Sequence, residues 1–544
     1  MIICQVIGHV WATKKEETLS GLKLMVVKEV ETNKTNGDTF VAADVVGAGV
    51  GERVLVVSGS TARRALGKDD IAIDSAIVGI IDTLEVDREL KELKKQVKYL
   101  NLTQKVFDAG IVGCGGAGFP THIKYNAKVE HLIINAAECE PLLRTDRYIM
   151  CNKAREIISA CEAIREHLGA AECTIALKKG YREEIASLEV AILALASKVK
   201  IHKMDSFYPA GDEQVIVCEV TGKVVPAGGI PLDVGCVVSN VATVCAVYDA
   251  LNGKNFTHKY LTMTGEVGEP VVLCVPLGTS FKDCLALAGG ANIDDYFVIC
   301  GGPMMGKPMT KEEALKSVVT KTTSGYIILP VGGRLPSLHQ TPVEHTLNRA
   351  KSACIQCNFC TQLCPRNMLG HPIEPHKIMR KMARGSIEEM ISDPVVVNAL
   401  LCCECGVCEL YACPMQLQPR KVNSLVKKEL AKNGIRYQKT GEEYTVNINR
   451  EYRKIPSKRA ANRAGAGKYY DYTIKHCKEF TPDRVEIPVK QHIGVPAEAV
   501  VNVGDCVKCG QLIAKCPEGK MGANVHASID GKVTSVGEVI TIER

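Results

Sequence analysis

Long apolar runs are missing from this chain: no stretch reaches the roughly 18 consecutive apolar residues of a membrane-crossing helix. The start, Met1-Ile2-Ile3-Cys4-Gln5, lacks the basic lead and apolar run of a signal peptide. These two absences predict a cytoplasmic protein without a membrane span. An excess of one charge is also missing, since 67 basic and 61 acidic groups leave a net charge of only +6. That argues against nucleic acid as the main partner. Hydrophobic residues at 46% and charged residues at 24% exclude wholesale disorder. At one domain per roughly 100–200 residues, the chain should hold three to five domains.

Cysteine, by contrast, is abundant: 25 of 544 residues. In a reducing compartment that count points to metal or redox chemistry rather than disulfides. Cys354-x2-Cys357-x2-Cys360-x3-Cys364-Pro365 is the bacterial ferredoxin run, in which three thiolates wrap one cubane and the last cysteine reaches a second. Cys402-x2-Cys405-x2-Cys408-x4-Cys413-Pro414 supplies the reciprocal set. On this logic Cys354, Cys357, Cys360 and Cys413 hold one 4Fe-4S cluster, and Cys402, Cys405, Cys408 and Cys364 the other. Cys403 is left spare. Zinc also takes four cysteines, but its sites rarely use three closely spaced ones followed by Cys-Pro. Cys506, Cys509 and Cys516 lack a nearby fourth thiol and are not read as a site. Cys4, Cys151, Cys161, Cys173, Cys218, Cys245, Cys274 and Cys284 lie in apolar runs and are expected in the core.

The rest of the chain divides by pattern into a multidomain α/β plus β protein. Residues 1–87 carry short Val/Ile-rich runs (Ile2 to Val10, Leu22 to Val30, Arg53 to Ser58, Ile77 to Leu84) broken by turns such as Asn36-Gly37-Asp38, and predict a small β-barrel. Residues 88–102 are highly charged with Leu90, Leu93, Val97 and Leu100 at helical spacing, a helical linker. Residues 103–255 alternate strand-like runs (Leu132 to Ala136, Cys173 to Leu177) with amphipathic stretches, notably a helix over Asp146 to Leu168. Residues 256–335 return to short strands with one helix near Phe281 to Ala288, a β-grasp-like module. The two cysteine runs sit among helices in 343–432. A basic segment, 433–489, reads as a solvated or clasping loop, because only scattered Tyr interleave its charges. Residues 490–544 carry turn-rich strands.

A glycine-rich loop, Gly113-Cys114-Gly115-Gly116-Ala117-Gly118-Phe119-Pro120-Thr121, lets backbone amides approach a phosphate or a flat ring. It departs from the Rossmann G-x-G-x-x-G pattern. Asn135-Ala136-Ala137-Glu138-Cys139-Glu140-Pro141, Tyr208-Pro209-Ala210-Gly211-Asp212-Glu213 and Ser239-Asn240-Val241-Ala242-Thr243 follow it. The set resembles the FMN- and NADH-binding domain shared by the flavoprotein subunit of respiratory complex I, the RnfC electron-transport subunits and the PduS-type cobalamin reductases. The resemblance runs from about residue 103 to the end. It implies FMN against Gly113, Gly115, Gly116, Lys124, Asn135, Glu138, Tyr208, Gly211, Asp212, Glu213, Asn240 and Thr243, with Lys124 at the phosphate. It further implies Phe119 near the nicotinamide, and Glu140 and Glu213 holding NADH. Ala137 and Cys114 depart from complex I, which has an acidic and a basic residue there. The β-grasp module resembles the SLBB modules of these families, a candidate corrinoid contact or a spacer. Residues 490–544 resemble their barrel-sandwich segment.

The front stretch resembles the EutN/CcmL vertex proteins of bacterial microcompartments. Ser20-Gly21-Leu22-Lys23-Leu24, Ala42-Ala43-Asp44-Val45-Val46-Gly47-Ala48-Gly49-Val50, Ser58-Gly59-Ser60-Thr61-Ala62-Arg63 and Asp74-Ser75-Ala76-Ile77-Val78-Gly79-Ile80-Ile81-Asp82 carry the match. That family forms pentamers at shell corners, so the resemblance implies a homo-oligomer through residues 1–87 and shell proteins as partners. The combined expectation is a microcompartment-associated NADH oxidoreductase passing single electrons through FMN and two clusters to a corrinoid or a redox protein. The rivals are a shell-vertex protein with a redox conduit or docking role, and an RnfC-like NAD/ferredoxin electron-transport subunit.

Overall fold

The computed structural model describes all residues except 13, 31–38, 68–69, 82–101 and 475. The turn at Asn36-Gly37-Asp38, the end of the strand expected to reach Leu84, and nearly all of the helical linker expected over 88–102 lie outside the described residues. Contacts divide the chain into two units, Met1–Gln96 and Val97–Arg544.

The first unit is a closed five-stranded barrel. Ile2–Val10 pairs antiparallel with Lys23–Glu29 and with Arg53–Ser58, and Thr39–Asp44 closes it by running parallel to Ser75–Ile80. Alternation aims Cys4 and Val6, Met25 and Val27, and Val54 and Val56 into one core. After Thr39–Asp44 the chain turns because the Asp44 carboxylate accepts from Val46 N (3.1 Å) and Gly47 N (2.9 Å) while pairing with Lys23 (2.9 Å).

The second unit begins with an α/β domain. Its sheet runs Cys236–Asn240, His131–Asn135, Glu172–Lys178, Lys200–Met204, all parallel. The first three strands are buried almost throughout because helices cover the sheet, whereas the edge strand Lys200–Met204 mixes polar and apolar residues and is largely exposed or half-buried. The helix expected over Asp146 to Leu168 is two, Thr145–Asn152 and Ala154–Leu168, because Lys153 leaves helical backbone at φ −129°. Ile149, Ile157, Cys161, Ile164 and Leu168 still share one core.

A six-stranded sheet follows, with the helix Phe281–Leu287 against it. Its edge strand, Cys477–Glu479, comes from the basic segment and runs parallel to Val271–Pro276. Ile455–Pro456 likewise pairs with Phe207–Tyr208, and Arg450 and Lys454 pair with Glu219. The 433–489 stretch thus clasps the α/β sheet domain and the β-grasp module with backbone hydrogen bonds. A helical domain, built on Val343–Ala353, Pro375–Arg384 and Pro419–Lys432, touches both, through Tyr208 to Cys405 O and Arg420 to Met304 O. Two small antiparallel sheets from 484–543 complete the unit.

Most cysteines expected in the core are there, but Cys151 and Cys274 are only half-buried. Cys274 borders a cavity rather than a packed layer.

Candidate functional site

The glycine-rich loop ends on Pro120, and an isolated bridge between Val112 and Pro120 together with a 2.9 Å bond from Gly113 N to Phe119 O folds it into a tight lobe. It faces the carboxyl ends of His131–Asn135 and Cys236–Asn240, where open α/β sheets bind ligands. A cavity of about 290 Å3 opens there, lined by Gly113, Gly115, Gly116, Phe119, Lys124, Asn135, Gly211, Glu213, Asn240 and Thr243 among others. Ten of the residues singled out for flavin and nicotinamide are thus brought together.

Two helix N-termini converge on this cavity. Asn240 caps Val241–Leu251, accepting from Ala242 N and Thr243 N, while its amide donates to Asp146 (2.7 Å). Asp212 caps Glu213–Thr221, accepting from Gln214 N and Val215 N. Thr243 Oγ1 accepts from Cys114 N (2.9 Å), tying the loop to its helix. Asn135 donates to Gly211 O (2.8 Å), tying strand to loop. The glycines are spatial requirements: a Cβ on Gly115 would stand 3.0 Å from the Asn240 amide, and one on Gly211 would stand 2.7 Å from Cys139 Cβ. On Gly116 it would meet nothing within 4 Å, so that backbone is bare toward the cavity. Lys124 supplies the cation, held by Glu213 (2.7 Å) and Val238 O (3.0 Å). Bare backbone, two helix N-termini and one lysine make a cradle fitted to a phosphate-bearing planar group such as FMN.

Glu138, Glu140, Tyr208 and Asp212 do not line the cavity. Glu138 is buried behind it at φ 39°, accepting from Asp146 N (2.7 Å). Burial and the neighbouring Asp146 carboxyl push Glu138 up to about 8. Glu140 accepts from Met304 N (2.9 Å) and the Tyr208 hydroxyl (3.3 Å), and burial raises it to about 7. The one Tyr208 hydroxyl proton is shared with Cys405 O (2.8 Å), the closer acceptor. Glu140, Tyr208 and Asp212 are turned instead toward the β-grasp module and the cysteine domain, through Met304, Cys405 and Arg366.

The cysteines form two rings in the crossed pattern. Cys354, Cys357, Cys360 and Cys413 surround one small cavity, with His376 and Met379 in its wall. Cys364, Cys402, Cys405 and Cys408 surround another. The loops are conformational copies: Gln356 and Glu404, each two residues after the first cysteine, have φ 53° and 57°, and Asn358 and Gly406 have φ 67° and 77°. Left-handed backbone at non-glycine residues is held only where surroundings demand it, and wrapping a cluster is such a demand. The donor set is therefore fitted to iron–sulfur clusters. Cys403, read as spare, lines the second ring.

Two groups missed from sequence join the sites. Arg366, just after Cys364-Pro365, forms a two-pronged ion pair with Asp212 (2.9 Å for the Nη2 to Oδ2 prong), both nearly buried. Arg420 pairs with buried Glu409 (2.6 Å) beside the same ring. A basic residue directly after Cys-Pro was the available signal for Arg366; nothing local marked Arg420. On the far side of Cys114 lies a second cavity of about 590 Å3, bounded by Lys153, Cys245, Lys259, Tyr260 and Cys274.

Fold and site together define an oxidoreductase that carries electrons on flavin and iron–sulfur groups. Comparison with known proteins agrees. The Nuo51 FMN-binding domain family matches residues 106–249, the SLBB domain 260–308, the 4Fe-4S dicluster domain 353–418, and the RnfC barrel sandwich hybrid domain 471–544. The family of ethanolamine utilisation protein EutN and carboxysome proteins matches 1–82. Cobalamin reductase PduS of Salmonella typhimurium is 37% identical over 466 residues, covering 85% of this chain and 99% of that protein. A component of the proton-translocating ferredoxin:NAD(+) oxidoreductase complex of Clostridium ljungdahlii is 30% identical, over 53% of this chain and 60% of its own. Among solved structures, a pentameric shell protein, GrpN of Rhodospirillum rubrum, is 47% identical over 16% of this chain and all of its own, with a TM-score of 0.14. The chain belongs to the PduS cobalamin reductase family, with a EutN/CcmL-type barrel at its head, and is assigned by both matches to a bacterial microcompartment. Among the described residues no helix is long and apolar enough to cross a membrane.

Proposed function

We propose that the chain oxidises NADH at an FMN held in the glycine-walled cavity and relays single electrons through two 4Fe-4S clusters, one per cysteine ring, to cobalamin, the acceptor in the name of its PduS relatives. Bound FMN supplies the conversion of a two-electron hydride into single electrons that cubanes carry. Lys124 and the two helix N-termini bind the FMN phosphate, and Asn135, Asn240 and Thr243 fix the walls around it. Phe119, 36% exposed at the mouth, offers a face to the nicotinamide, and Glu213 holds the nucleotide. Glu138, Glu140, Tyr208 and Asp212 act from behind the wall as positioning residues.

The observation that carries this reading is the pair of links between the cavity wall and one ring. Asp212 sits between Gly211 and Glu213 in the wall and grips Arg366, and Tyr208 bonds to Cys405 O. The ring with Cys364 therefore stands next to the flavin site, and the ring with Cys354 is the later station. The barrel at the head supports attachment to a microcompartment shell, with five copies at a corner as the EutN/CcmL resemblance implies.

The test gives the reconstituted full-length protein NADH anaerobically, with aquacobalamin, a bacterial ferredoxin or an artificial dye as acceptor, and measures its mass by sedimentation. Cobalamin reduction that needs NADH, by a five-fold assembly, is expected. NADH turnover with ferredoxin and not cobalamin favours the RnfC-like reading, and no turnover with any acceptor favours the shell-conduit reading.

A further inference from the structure

The two rings differ in surroundings. Cys364, Cys405 and Cys408 are buried, whereas Cys354, Cys357, Cys360 and Cys413 are half-buried. The loop around the latter ring exposes large apolar side chains: Ile355 is 62% and Phe359 47% exposed. Both lie between the ligating cysteines, where tight wrapping leaves no room for a covering layer. Pro414 and Gln416, after Cys413, are also exposed.

The charge around this ring is one-sided. Of the seven Lys and Arg in residues 343–384, Arg366 pairs with Asp212 beside the other ring and Lys381 with Asp393, leaving Arg349, Lys351, Lys377, Arg380 and Arg384 against Glu344 and Glu374. Arg349 and Lys351 sit, exposed, on the helix Val343–Ala353 that runs into Cys354. Arg380, exposed, lies one turn beyond His376, which lines the ring's cavity. Lys377 is neutralised by Glu374 (2.7 Å), while Lys351 and Arg380 pair with no carboxylate among the described residues. Apolar groups at the centre with unpaired cations at the rim are the anatomy of a protein-docking surface whose rim charges steer the partner.

We infer that this face is an electron exit used in addition to transfer to cobalamin, and that it docks an acidic one-electron carrier protein, seated on Ile355 and Phe359 and steered by Arg349, Lys351 and Arg380. In the transfer, one electron is lost by the cluster that Cys354, Cys357, Cys360 and Cys413 hold, and one is gained by the carrier, with no proton moved and no bond made. The inference rests on the proposed electron route through the rings but not on NADH as donor.

The test uses reconstituted full-length protein and an acidic bacterial ferredoxin as probe. Its affinity is read by calorimetry with both proteins oxidised, and electron transfer by stopped flow from protein prereduced with dithionite, at 50 and 300 mM salt. The double reversal Lys351→Glu with Arg380→Glu is expected to weaken binding and slow transfer at least tenfold, and to abolish most of the salt dependence. Ile355→Ser with Phe359→Ser is expected to weaken binding at both salt concentrations. Iron content and transfer to aquacobalamin should stay at the parent level in the charge reversal, as should ferredoxin binding in the control Lys532→Glu, on an exposed strand of another domain. Ferredoxin affinity and rate within twofold of the parent overturn the inference, and so does an equal loss of transfer to aquacobalamin. Because dithionite starts the reaction, failure of NADH to donate leaves the result readable.

Discussion

Replacing Lys124 by methionine keeps the length of the side chain and removes its charge. Lys124 is gripped by Glu213, but the two side chains are 27% and 48% exposed, so that pair is worth at most about 1 kcal/mol. A phosphate also backed by two helix N-termini competes for the ammonium easily. A charge-assisted hydrogen bond contributes about 1.5–3 kcal/mol, and each 1.4 kcal/mol is tenfold, so Lys124→Met should weaken FMN binding by roughly 10- to 150-fold. Glu213→Gln, by freeing Lys124, should tighten FMN by at most about fivefold while raising the KM for NADH. The assay is titration of flavin-free protein with FMN, read by quenching of flavin fluorescence, with riboflavin as the phosphate-free control. Riboflavin affinity should not change in Lys124→Met. An FMN affinity within twofold of the parent, or an equal loss for riboflavin, refutes the placement of the phosphate at Lys124.

Other outcomes follow from the same geometry. Cys403→Ser should keep about eight iron per chain, as two cubanes require, whereas Cys405→Ser should lose about half; equal losses in iron analysis would make Cys403 a ligand. Glu138 sits buried beside Asp146 with its folded value raised to about 8, so the folded state holds a proton that the unfolded chain gives up near the ordinary carboxylate range. Stability is therefore lost as pH rises from that range to about 8, and Glu138→Gln should flatten this fall. Thermal melts from pH 5 to 9 that decline in parallel for both proteins would contradict the assignment.

What the sequence reveals depends on how local the signal is. The cysteine runs were legible because a cubane needs three thiolates from one short loop, and the crossed fourth ligand follows from the paired Cys-Pro endings. The glycine loop and the Asn240 and Thr243 positions were legible through resemblance, and the structure adds why they gather: caps of a helix aimed at a strand-end cavity. The break at Lys153 was not legible, since the apolar stripe continues in phase on both sides of it. Nor was the edge strand Cys477–Glu479, which is too short for alternation to show and takes its register from a distant partner. Asp212 looked like a ligand-binding acid. Its place as cap and ion-pair partner depends on Arg366, 154 residues away, which no local pattern couples to it.

The most direct measurement is an anaerobic NADH titration of the reconstituted full-length protein, following flavin and iron–sulfur absorbance together and counting FMN and iron per chain. The account predicts about one FMN and about eight iron, with both chromophores bleached as NADH is added. Intact clusters and flavin that NADH leaves oxidised would contradict it.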